Sequence, residues 1–197
     1  VQVADFLTRG VIQNAVNAPS IPPELLKKLQ PYLSLGEKLG RLGSQLADGR
    51  MQEIQIDYRG EVTAFDCTPL TVGVVKGVLE PALEEGVNLV NATTVARRRG
   101  IRVVERKVSE AGDFASLINV TVRTDRGESA VAGTLFSQRD PRIVRINEFR
   151  LEAVPEGYLL IFSNQDVPGV IGRIGTLLGK NQVNIAGMQL GRERPGG

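Results

Sequence analysis

The residues with the clearest capacity for chemistry lie near the end of this sequence. Asn164 and Asp166 close an apolar stretch, and Pro168 and Gly169 open the helical pattern DVPGVIGRIGTLLGK. The free N–H groups of a helix's first turn, together with the helix dipole, favour a carboxylate. Pro suits a first helical position because it sacrifices no bonded N–H, and Gly169 lets a ligand or a neighbouring backbone come close. Asn164 and Asp166 add acceptors for an ammonium group beside that carboxylate. Asn184, early in the next apolar stretch, would lie near them if the two stretches ran parallel. Such a set suits a zwitterionic amino acid. The same residues also fit a purely structural reading, in which Asp166 caps the helix and Asn164 shapes the turn.

Other chemistries are limited by composition. The chain has no His, so neither a Ser-His-Asp arrangement nor a zinc site of Cys and His ligands can be built. The single cysteine, Cys67, lacks the neighbouring base that a nucleophilic thiol needs, and it reads as a small buried residue. It also excludes an internal disulfide and fits a reducing, cytoplasmic setting. Between Arg97 and Arg150 there are 12 Arg and Lys against 7 Asp and Glu. The run Arg97, Arg98, Arg99, Arg102, Arg106 and Lys107 could form a nucleic-acid patch. It lacks the interleaved aromatics that stack on bases, so a solvated face or a small-anion site is the better reading.

The elements that must position these groups follow from periodicity. Residues 2–16 read as the end of a helix, broken by Asn17 to Ser20. The segment 21–49 predicts two consecutive helices with Pro31 as break or kink, the second at about 32–47 with Gly49 as its stop. QEIQIDYRG alternates as a strand. Helical patterns follow from Pro69 to Glu85 and at about 92–99. IRVVERKV, SLINVTVRTD and SAVAGTLFS are then three strands, the last two joined by a turn at Arg126-Gly127. PRIVRINEFRLEAV reads as one further strand with a polar bend near Asn147 and Glu148. Finally GYLLIFSN, the helix after it and QVNIAGMQLG predict a strand–helix–strand unit with a parallel pair. The fold class is thus α+β: helices on a mostly antiparallel sheet, followed by a βαβ unit.

At 197 residues the chain suits one ordinary domain with a partial second, or two small ones. No run approaches eighteen apolar residues, and the start shows neither a signal peptide nor an initiating Met, so neither a membrane partner nor secretion is expected. VQVADFLTRG opens in mid-helix and GRERPGG stops just after an apolar run, which predicts a fragment of a longer protein.

NQDVPGVIGRIGTLLGKNQVNIAGMQLGR resembles the start of an ACT domain, with its D-x-P-G turn, I-x-x-L helix and V-N-I strand. VQVADFLTRGVIQNAVNAPSI, EGVNLVNATTVARRRGI, and AVAGTLF followed by PRIVRIN are similar to the C-terminal half of the long, three-domain D-3-phosphoglycerate dehydrogenases. The resemblance implies three parts. Residues 1–20 would end a substrate-binding domain, 21–150 would form the intervening (allosteric substrate-binding) domain, and 151–197 a truncated ferredoxin-like ACT domain. It implies a cytoplasmic, homotetrameric parent enzyme that oxidises 3-phosphoglycerate to 3-phosphohydroxypyruvate with NAD, in L-serine biosynthesis. L-serine, the implied partner, would bind across paired ACT domains of a homo-oligomer and slow catalysis. The effector contacts carry over to Asn164, Asp166 and Asn184, around the Pro168-Gly169 turn; some relatives have His where this chain has Asn164. A phosphate or 3-phosphoglycerate would be held in the intervening domain by Arg142 and Arg150. No catalytic residue and no metal ligand is expected here, because the family's catalytic His would lie upstream of Val1. No G-x-G-x-x-G turn follows any strand, so NAD is expected only in the parent enzyme. Two other readings compete: an ACT-linked regulatory part of an iron–sulfur serine dehydratase, which requires clustered cysteines elsewhere, and a nucleic-acid regulator built on residues 97–107.

Overall fold

A computed structural model describes residues 23–83, 86–165 and 167–191. The helix expected at 2–16, the domain end at 1–20 and Asp166 therefore lie outside the described residues. Helix α1 spans Pro23–Leu46, and strand β1, Met51–Gly60, leads through a 3-10 turn at Glu61–Ala64 into α2, Thr68–Leu79. A short helix α3, Ala92–Arg98, precedes β2, Arg102–Val108. Then come β3 (Ser116–Thr124), β4 (Glu128–Phe136), β5 (Asp140–Ile146), β6 (Phe149–Ala153) and α4 (Val170–Lys180). The strands form one sheet in the order β2-β1-β3-β4-β5-β6. Only β1 and β2 run parallel; every other neighbouring pair is antiparallel. The architecture is α+β.

α1 is one helix, where two were expected. Pro31 sits inside it, without an N–H for the Lys27 carbonyl, at a typical cost of about 3 kcal/mol. Leu29, Tyr32, Leu35, Leu39 and Leu42 are all buried, and their spacing demands a continuous stripe. Each buried aliphatic side chain contributes about 1.5–3 kcal/mol, so continuity outweighs the proline. Lys27 is exposed, which leaves its freed carbonyl open to water. α1 crosses α2 backbone to backbone: a Cβ at Gly40 would collide with the Val74 carbonyl oxygen, and one at Gly77 with that of Glu37. Salt bridges rim this crossing, Lys76 to Glu37 at 2.6 Å and Arg41 to Glu80 at 2.6 Å.

The helices cover one sheet face, where Ile54, Ile56, Tyr58, Ile118, Val120, Val122, Val131 and Ile143 form the core. The residues alternating with them turn to the opposite face. There Glu53, Gln55, Asp57, Asn119 and Thr121 are polar and still buried.

Three further differences from the expected elements have physical causes. The helix expected to reach Glu85 ends at Leu79, and Pro81 falls in the turn that follows. The bent strand 141–154 is a hairpin: Asn147 adopts φ 50°, and Ile146 pairs with Phe149 across the turn. Asn147 both donates to the Ala130 carbonyl (2.7 Å) and accepts from the Ala130 N–H (2.9 Å), which fixes the reversal. Finally, 157–164 and 182–191 flank α4 without joining any ladder. A strand is stable only when its backbone groups are paired, and among the described residues nothing runs alongside these two.

Candidate functional site

The polar sheet face is organised by register. One row of directly opposed residues crosses all six strands: Arg106, Asp57, Asn119, Ala132, Arg145 and Arg150. Gln55 donates to both Asp57 oxygens (3.0 and 3.2 Å). Asn119 Nδ2 donates to Asp57 Oδ2 (3.2 Å) and Thr121 Oγ1 (3.2 Å), which turns Asn119 Oδ1 outward as an acceptor. Arg145 Nη2 donates to that oxygen at 2.7 Å, reaching across β4 where Ala132 is small enough to let it pass. Two rows along the same face, charge alternates across four strands, Arg102–Glu53–Arg123–Glu128. Glu53 is only 4% exposed. Burial pushes its carboxyl up, but the hydrogen bonds and charges of Arg123 and Arg102 outweigh that and hold it below the usual carboxylate range.

At its far end the first row meets a cavity of about 310 Å³ between Arg145, Arg150, Phe114, Leu117, Phe136 and Val144, with Asp113 and Glu152 also on its wall. Among the described residues Arg145 Nε is buried without a hydrogen-bond acceptor, an arrangement that typically costs about 1–3 kcal/mol. Arg150 is exposed and makes no ion pair among the described residues. Of the two expected anion ligands, one lines the cavity and the other touches residues of its wall. Arg150 lines the cavity. Arg142 lies behind its wall, with its guanidinium 5.5 Å from the centre of the Phe136 ring and its Nε 3.6 Å from Glu152.

Sequence reasoning missed Arg145, Asn119 and Asp57. Strict alternation along β5 would place Arg142 and Arg145 on opposite faces. A bulge at Val144, where Ala132 pairs with Arg145 but Gly133 with Ile143, brings them to one face. The available signal was Asp57 and Asn119 themselves, residue types depleted in strands yet set between β-branched neighbours.

At the start of α4 the N-cap is Gly169, at φ 89° with no side-chain cap bond, and the helix begins at Val170. Pro168 therefore precedes the cap, where it was expected at the first helical position; the left-handed backbone needed there is glycine's. Asn164 donates to the Gln165 carbonyl (2.9 Å). Asn184 is exposed and makes no side-chain hydrogen bond among the described residues. The structure does not bring Asn164, Gly169 and Asn184 together through any hydrogen bond.

Cys67 is buried before α2, and burial pushes its thiol up against the pull of Lys107. The basic run 97–107 points in several directions. Arg97 and Arg98 end α3, Arg102 and Arg106 sit on the polar face, and Lys107 lies 3.7 Å from Glu105 in the next row. Dinucleotide binding needs an open, Gly-rich turn between strand and helix. In the parallel pair, β1 instead ends at Gly60 against the Ala115 carbonyl, whose oxygen accepts the Glu61 N–H at 2.9 Å. That turn is filled by the protein's own backbone. Among the described residues no helix is long and apolar enough to cross a membrane.

A family model described as the D-3-phosphoglycerate dehydrogenase intervening domain matches residues 28–147, and an ACT domain model matches 158–197. D-3-phosphoglycerate dehydrogenase of Synechocystis sp. is 40% identical over 193 residues, covering 98% of this chain and 35% of that protein. The Archaeoglobus fulgidus protein of the same name is 39% identical, covering 94% of this chain and 36% of its own length. That of Methanocaldococcus jannaschii is 37% identical, covering 100% and 37%. The chain spans little more than a third of these relatives and matches their C-terminal part.

Proposed function

Because the chain belongs to the D-3-phosphoglycerate dehydrogenase family, with an intervening domain followed by an ACT domain, we propose that it is the regulatory segment of such an enzyme. The parent would carry out NAD-dependent oxidation of 3-phosphoglycerate in L-serine biosynthesis, in the cytoplasm. This segment contributes no catalytic group; its task is to bind effectors and to join subunits.

The observation that carries this reading is the bare apolar surface of the ACT region. Tyr158, Leu160, Leu177 and Leu190 are each more than 60% exposed, and α4 has no buried residue. Patches of that kind mark interaction surfaces, and pairing with a second copy would supply the strand partners that 157–164 and 182–191 lack. In that dimer or tetramer, L-serine would sit at the start of α4. Its carboxylate would meet the first-turn N–H groups after Pro168 and Gly169, and its ammonium group the Asn164, Asp166 and Asn184 side chains. Arg150, at the cavity of the polar sheet face, would hold a second, anionic ligand.

An effector shifts an equilibrium only by its difference in affinity between two states, typically about 1–3 kcal/mol. Calorimetry of the full-length protein with L-serine tests the reading. We expect saturable heat that Asp166→Ala reduces at least tenfold in affinity. Absence of heat at millimolar serine overturns the effector assignment.

A further inference from the structure

The junction between α1 and β1 holds the one Asp-Gly pair in the sequence, Asp48-Gly49, and the sequence has no Asn-Gly. We propose that Asp48-Gly49 is a site of spontaneous backbone isomerisation, restrained by the ion pair of Asp48 with Arg126. Three observations support it. Asp48 lies between α1 and β1, and its side chain is 79% exposed. Gly49, at φ 96°, has no Cβ to shield its nitrogen, and its N–H makes no hydrogen bond among the described residues. Nothing therefore has to be broken to free that nitrogen for reaction. Thr124 Oγ1 donates to the Asp48 carbonyl at 2.6 Å, the shorter of its two carbonyl contacts. That carbonyl belongs to the same peptide group as the Gly49 nitrogen, so the hydroxyl stabilises the negative charge that gathers there when the nitrogen gives up its proton.

The reaction balances without any co-reactant but water. The Gly49 nitrogen loses its proton and bonds to Asp48 Cγ. The bond from Cγ to one carboxyl oxygen breaks, and that oxygen leaves as water, closing a five-membered succinimide. Water then adds at the main-chain carbonyl carbon of Asp48 and opens its bond to nitrogen. The chain now runs through Cγ, and the former main-chain carbonyl carbon carries a free carboxylate. Arg126 slows the first step. Its Nη1 donates to both Asp48 oxygens, at 3.2 and 3.1 Å. The departing oxygen must take a proton, so the carboxylate has to leave the guanidinium first. An exposed pair opens readily, so the reaction is slowed and not stopped. The product carries an extra backbone carbon between α1 and β1, which draws the carbonyl away from Thr124 and unties this bend from the β3–β4 turn.

The test ages the full chain at physiological temperature and neutral pH. Isoaspartate is counted by methyl transfer from an isoaspartyl-specific carboxyl methyltransferase and located by fragmentation mass spectrometry. We expect Asp48 to be the main isomerised residue. Arg126→Ala should raise its rate at least threefold, and Thr124→Val should lower it at least threefold. Asp48→Glu keeps the partner of Arg126 but cannot close the five-membered ring, and should remove most of the methyl acceptance. If Asp48→Glu accepts methyl groups as the wild type does, the site is overturned. The same holds if Asp48 stays unmodified while a free peptide of residues 44–53 isomerises. If Asp48 isomerises equally fast in the wild type and Arg126→Ala, the restraint by Arg126 is overturned.

Discussion

Glu53 shows how a single carboxylate can be kept charged inside a sheet. Its two guanidinium partners come from β2 and β3, one on each side of its own strand. Its folded-state titration is depressed below the unfolded value of about 4.3. The stability it provides is therefore present above that value and lost as pH falls through the folded one. Glu53→Gln should be less stable than the wild type by about 1–2 kcal/mol at pH 7, allowing for the exposed outer arginines. In urea titrations the gap should close as the pH drops below about 4; a gap that persists in acid would show that shape, not charge, is what Glu53 supplies. The identity of such groups was partly legible in the sequence. EIQID and NVTVR announced alternation, but alternation alone reads the polar positions as solvent-facing. That Arg145 rather than Arg142 would line the cavity depended on one inserted residue, Val144, and a bulge leaves no mark on composition.

At the scale of elements, the sequence revealed the strands and most helices because their periods are strong, and erred where two local rules competed. Pro31 argued for a break, whereas the leucine stripe from Leu29 to Leu42 argued for continuity; burial decided it. Pro31→Ala restores the N–H to the Lys27 carbonyl at an exposed turn. We expect it to stabilise the protein by about 1–3 kcal/mol in denaturant unfolding. Lower stability would mean that α1 needs a proline bend to lie across β3, β4 and β5. The strands expected beside α4 had the right alternation but no neighbour, and alternation cannot supply a hydrogen-bond partner. The Pro168-Gly169 pair was legible as a helix start, while its offset by one residue came from the left-handed backbone at Gly169.

At the scale of the whole molecule, two halves contrast. Residues 23–153 close around one core, whereas 158–190 present apolar side chains outward. Burying one leucine-sized side chain contributes about 1.5–3 kcal/mol, so Leu177→Asp should weaken self-association at least tenfold in sedimentation velocity. A wild-type protein that stays monomeric, or a variant that assembles equally well, would remove the oligomer from the proposal. The row that crosses the sheet from Arg106 to Arg150 has a consequence for folding as well. Its cross-strand hydrogen bonds exist only if the β1–β3, β3–β4 and β4–β5 pairings are correct together. A slip of one residue in β1 or β3 would send Asp57 or Asn119 into the apolar interior and leave Arg145 without its amide partner. Misaligned sheets are thereby penalised more than an all-apolar sheet would be, and the polar face acts as a proofreading mark for assembly of the domain.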